Sequence, residues 1–89
     1  MSAETIAEAM TTGRLSLTVL DDGSGVLLDQ EKEALLSLNT TGLAIVSAIA
    51  DGCREEQDLA ERLSQQFDID HEKAHTDVRH FLTQLTRVL

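Results

Sequence analysis

Leu15-Ser16-Leu17-Thr18-Val19-Leu20 alternates apolar and polar residues, Asp21-Asp22-Gly23-Ser24-Gly25 follows, and Val26-Leu27-Leu28-Asp29 is apolar again. Alternation at a period of two is the mark of a strand with one buried face. Glycines in a short acidic loop supply the positive φ that tight hairpin turns require. The stretch therefore reads as two antiparallel strands joined by a turn. Gln30-Glu31-Lys32 continues as a connection, and Leu35, Leu36 and Leu38 form a third short strand. Local preference is weakest there, because Glu, Lys, Ala and Leu favour helix and Glu31–Ser37 is also compatible with one. Three strands at such close spacing suggest an antiparallel meander.

Downstream the period changes. Asn39-Thr40-Thr41 supplies helix-capping side chains, and Leu43, Ile45, Val46, Ile49 and Ala50 recur at helical spacing up to Asp51-Gly52. Glycine is the usual residue just past a helix C-terminus. A second helix runs from Glu55 to Phe67, with Leu59, Leu63 and Phe67 four residues apart and Glu55, Glu56 and Asp58 at its positive end. Asp68-Ile69-Asp70 interrupts it. Asp70 caps a third helix whose stripe is Ala74, Val78, Phe81 and Leu85, widened to one side by Leu82. Within Ser2–Thr12 only Ile6 and Met10 are apolar points, one helical turn apart, which suits a frayed helix or a loose tail. Residues 1–14 are expected to be the tail, because terminal segments without an apolar stripe seldom stay docked. The order β-β-β-α-α-α places the chain in the α+β class.

Composition narrows the functions available. The 89 residues allow one domain, and a core built from aliphatic residues, since Phe67 and Phe81 are the only aromatic side chains. The formal charge of -9 opposes association with nucleic acid or an anionic membrane, both of which require basic side chains against phosphates. The single cysteine, Cys53, cannot form an internal disulfide, which suits a reducing cytoplasm. Met1–Met10 carries acids and no continuous apolar run, so it is not expected to be a secretory signal, and no run of roughly 20 apolar residues occurs in the sequence.

Val26-Leu27-Leu28-Asp29, Leu38-Asn39-x-x-Gly42, Asp51-Gly52, the Leu59/Leu63/Phe67 helix and Ala74-x-x-Asp77-Val78-x-x-Phe81-Leu82-x-x-Leu85 occur in that order. Together they resemble the PqqD family, the RiPP recognition element that serves ribosomally made, post-translationally modified peptides. The similarity spans Leu15 to Leu89. It implies a winged-helix-like fold, a three-stranded antiparallel sheet packed on three helices, with residues 15–89 as the peptide-binding domain. It also implies a non-catalytic role. Relatives hold the leader region of a precursor peptide as an added strand between the third strand and the third helix. A separate enzyme, such as a radical SAM protein or a leader peptidase, then acts on the precursor. Departures from the pattern bear on the groove: Leu35 and Leu36 occupy positions often aromatic in relatives, Glu55 and Glu56 replace a Thr and a β-branched residue, and Arg87-Val88-Leu89 replaces a closing Gly-Leu.

The resemblance assigns peptide contacts to Glu33, Ala34, Leu35, Leu36, Ser37 and Leu38 on the third strand, and to Asp77, Val78, Phe81 and Leu82 on the third helix. On a helical wheel Val78, Leu82 and His75 share one shoulder of the core stripe, while Asp77 and Gln84 lie beyond the other. Either shoulder could face the groove. The competing reading for the apolar residues is core packing, and for Asp77 a solvated carboxylate or surface ion pair. Catalytic and cofactor chemistry finds no footing: no nucleophile motif surrounds a serine, and the Gly23-Ser24-Gly25 turn has no phosphate-loop lysine. His71 and His75 sit one turn apart but lack a third metal ligand. No cofactor is expected. The alternative from another class is a winged-helix DNA-binding regulator using Lys73, Arg79 and Arg87, although Asp70, Glu72 and Asp77 share their helix. A dimerisation or regulatory module is a further option.

Overall fold

Three strands of five residues each carry the alternation read above: β1 (Leu15–Val19), β2 (Gly25–Asp29) and β3 (Ala34–Leu38). The computed structural model describes residues 3–88. Around the strands lie α1 (Ala3–Thr11), α2 (Thr40–Ala50), α3 (Glu56–Phe67) and α4 (His71–Val88). The sheet is antiparallel in the order β1-β2-β3. Its register aligns Leu17 with Leu27 and Leu27 with Leu36. A period of two then sends Leu15, Leu27 and Leu38 into the core, where each is at most 3% exposed, while Leu35 points the other way.

The helices complete the core from one side. Asn39 caps α2, its side chain accepting from the Gly42 N–H at 2.8 Å. Ile45, Val46 and Ile49 of α2 are buried against Leu59 and Leu63 of α3 and Val78 and Leu85 of α4. Asp68 ends α3 in the left-handed conformation with φ 53°, and the Asp70 carbonyl accepts from Ala74 at the start of α4.

Residues 1–14 depart from expectation. Met1 and Ser2 lie outside the described residues, but Ala3–Thr11 is a docked helix, not a loose tail, so four described helices pack with the sheet. Ile6 is fully buried, and Ala3, Ala7 and Ala9 join it in the core. Alanine has no bulk to register as an apolar stripe, yet its methyl lets a helix approach β1 and α2 closely. After Thr12 and Gly13 comes Arg14, whose carbonyl accepts from Gln30 to extend the β1–β2 ladder. No described helix is long and apolar enough to cross a membrane.

Candidate functional site

The site begins at an open sheet edge. Two hydrogen bonds fix which backbone groups face which neighbour: Gln30 donates to the Arg14 carbonyl at 2.9 Å and Leu20 to the Ser24 carbonyl at 2.8 Å. Even-numbered residues of β2 therefore face β1. Because N–H and C=O of one residue point the same way in an antiparallel strand, odd-numbered Gly25, Leu27 and Asp29 face β3. Their partners are Leu38, Leu36 and Ala34. The main-chain groups of Leu35 and Ser37 are thereby turned outward, and no described strand lies beyond β3. Four polar backbone groups await a partner.

A buried carboxylate sets this edge in place. Asp29, at the end of β2, is 0% exposed. Its oxygens accept from Arg14 Nη2 at 3.1 Å and from the backbone N–H groups of Glu31 at 3.1 Å and Lys32 at 3.2 Å. The hydrogen bond from Arg14 holds the carboxyl below its ordinary range and outweighs the opposing effect of burial. The turn it locks ends with Glu33 at φ 55°, a left-handed conformation, from which β3 departs.

Facing the edge, α4 forms the other wall of a groove of about 410 Å³. Leu36, Ser37 and Leu38 line one side, Asp77, His80, Phe81 and Gln84 the other, and Thr41, Gly42 and Ile45 the floor. Gly42 makes the closure possible, since a Cβ there would stand 3.0 Å from Phe81 Cε1. The groove is apolar at its centre and polar at its rim. Asp77 pairs with Lys73 Nζ at 3.3 Å on the exposed side of α4.

Of the residues expected at the site, the structure brings Leu36, Ser37, Leu38, Asp77 and Phe81 together around the groove. Glu33, Ala34 and Leu35 belong to the same edge but not to the lining. Val78 and Leu82 are 0% and 5% exposed and belong to the core. Their shoulder of α4 packs inward, so the shoulder of Asp77 and Gln84 faces β3. His80, three residues on from Asp77, was not among the expected contacts. Gln84, which shares the shoulder of Asp77 on the helical wheel, lines the groove with it. An isolated helix leaves open whether its apolar shoulder meets the core or a peptide; the packing of α4 against α3 decides for the core.

A larger hollow of about 700 Å³ lies between the β1–β2 turn, α2 and α3. Arg62 Nη1 and Asp51 Oδ2, 3.5 Å apart, form an ion pair among its lining residues. None of its lining residues belongs to a strand. Among the described residues no group of three His, Cys, Asp or Glu side chains could hold a metal ion. Burial pushes the half-buried Cys53 thiol up, which keeps it protonated and a poor nucleophile.

The family model for coenzyme PQQ synthesis protein D (PqqD) matches residues 24–88. The chain belongs to the PqqD family. The matched stretch holds β2, β3 and the three helices that follow, hence the whole groove. Two solved structures share the PqqD-like fold. TbiB1 in complex with the TbiA(beta) leader peptide has a TM-score of 0.74 and 22% identity, covering 83% of this chain and 84% of that one. Lasso peptide synthetase B1 complexed with the leader peptide has a TM-score of 0.70 and 27% identity, covering 83% and 85%. No curated protein matches the chain. The three-stranded antiparallel α+β architecture expected from sequence is thus that of PqqD-like recognition elements.

Proposed function

We propose that this PqqD-family protein is a non-catalytic peptide adaptor. It takes up the leader region of a ribosomally synthesised precursor peptide as a fourth strand along β3. It then presents the bound precursor to a separate modifying enzyme, a radical SAM protein or a leader peptidase. The observation that carries this reading is the outward-facing backbone of Leu35 and Ser37 beside the groove under α4. An extended peptide satisfies those groups by β-augmentation, and alternate side chains enter the groove to provide selectivity. The two structurally similar proteins, each complexed with a leader peptide, support the same mode of use. Glu33, Ala34, Leu35, Leu36, Ser37 and Leu38 supply the strand contacts, and Asp77, Phe81, His80 and Gln84 those from α4.

The DNA-binding alternative gains nothing from α4. Lys73 faces Asp77, and Arg79 Nε lies 3.6 Å from Glu56 Oε2, so two of the three cations invoked for it sit beside carboxylates. The decisive experiment is titration of isotope-labelled protein with a synthetic leader from a neighbouring precursor gene. Amide resonances of Leu35 and Ser37 and those of Asp77–Gln84 should move together. Shifts confined to the hollow between α2 and α3 would overturn the reading.

A further inference from the structure

Leu35 is 69% exposed, more than any other large apolar residue described. It occupies the middle of the edge strand, and its own main chain is among the groups left open. Residues paired across antiparallel strands send their side chains to the same face. A guest residue hydrogen-bonded to Leu35 therefore places its side chain beside Leu35 on the outer face of the sheet, away from the groove. Leu28, directly across β2 from Leu35, extends the same apolar row. The guest's next residue turns its side chain inward, toward Leu36 and Phe81. Two positions from the Leu35 partner, a guest residue meets Ser37, whose row continues through Val26 and presents a hydroxyl where the first row presents a Leu.

Building on the strand-addition reading, we infer that the site reads its peptide on both faces of the new strand. Leu35 selects an apolar residue on the outer face, and the groove selects a second apolar residue immediately adjacent in sequence. The ligand class is thus an extended segment with two consecutive apolar residues, followed on the outer face by a position without apolar demand. A groove acting alone would instead select apolar residues only at every second position. Cross-strand apolar pairing of ordinary strength gives roughly a 1.5- to 5-fold preference at the outer position.

A displayed library of random twelve-residue peptides, selected separately on the wild-type protein and on Leu35→Ser, Leu35→Lys and Phe81→Ala variants, tests this. The wild type should enrich adjacent apolar pairs. Leu35→Ser should relax one member of the pair and leave the other, and Leu35→Lys should bring Asp or Glu to that same position. Phe81→Ala should relax the opposite member. Leu35 is exposed, so its replacements leave the core intact, and thermal melting of each variant checks this. Apolar pairs that persist unchanged in both Leu35 variants would overturn the inference while leaving strand addition standing. Failure of the wild type to enrich any sequence would overturn both.

Discussion

Asp29 and Glu33 bracket the turn that delivers β3 to the edge, and each makes a measurable demand on the fold. The Asp29 carboxyl is held low chiefly by the hydrogen bond from Arg14. A group whose folded pKa lies below its unfolded value adds stability above the unfolded pKa, about 3.9 for Asp, and loses it as pH falls through the folded value. Urea midpoints of the wild type should therefore fall below about pH 4. Asp29→Asn should be less stable at pH 7 and converge with the wild type in acid. A constant gap between the two across that range would show that Asp29 acts through shape alone. Glu33 poses the opposite case. At φ 55° a side chain carries a steric cost of about 1–2 kcal/mol that glycine avoids, partly offset by the greater freedom of glycine in the unfolded chain. Glu33→Gly should stabilise the protein by about 0.5–1 kcal/mol, read as a higher urea midpoint at unchanged slope.

Within β3 and α4, neighbouring residues serve different masters, and paired substitutions separate them. Ser37 turns its N–H outward, whereas the Leu36 N–H is committed to β2. Proline is tolerated on edge strands only where no ladder hydrogen bond is lost. Ser37→Pro should therefore keep the circular dichroism spectrum but lower peptide affinity by about tenfold or more, the equivalent of one lost hydrogen bond plus steric exclusion of the guest. Leu36→Pro should disrupt the sheet itself. On α4, Leu82→Ala removes a core side chain and should cost about 2–5 kcal/mol in stability. Phe81→Ala, one residue earlier, should spare much of the stability and weaken peptide binding. Calorimetry beside a peptide titration separates the two effects. The same contrast explains what could be read in advance. The strands were legible because Leu15–Leu20 alternates and Asp21–Gly25 turns, and the stripe of α4 because Ala74, Val78, Phe81 and Leu85 recur at helical spacing. Which shoulder of that stripe meets β3 was not legible. Val78 and Leu82 are apolar side chains that suit either a core or an apolar peptide, and only their cover by α3 shows that they serve the core, leaving Asp77 and Gln84 toward β3. The docking of α1 was also hidden, because its packing surface is mostly alanine.

At the scale of the whole molecule, an aliphatic core and an open edge make stability and ligand binding closely linked. A domain of this size buries a modest fraction of its surface. A ligand that binds only the folded state then produces a large relative gain. At a free peptide concentration 100 times Kd the gain is about 2.7 kcal/mol. For a domain of 60–100 residues each kcal/mol moves Tm by about 4–8 °C, so a cognate leader should raise Tm by roughly 10–20 °C. Duplex DNA at the same concentration should leave Tm unchanged at moderate salt, since a net charge of -9 supplies no counterion-release term to draw phosphates in. The two ligands thus give opposite results in one thermal-shift measurement. The Ser37→Pro variant fixes the interpretation, because it should lose the peptide-induced rise while retaining a similar Tm alone. A rise that survives this substitution would place the peptide away from the β3 edge.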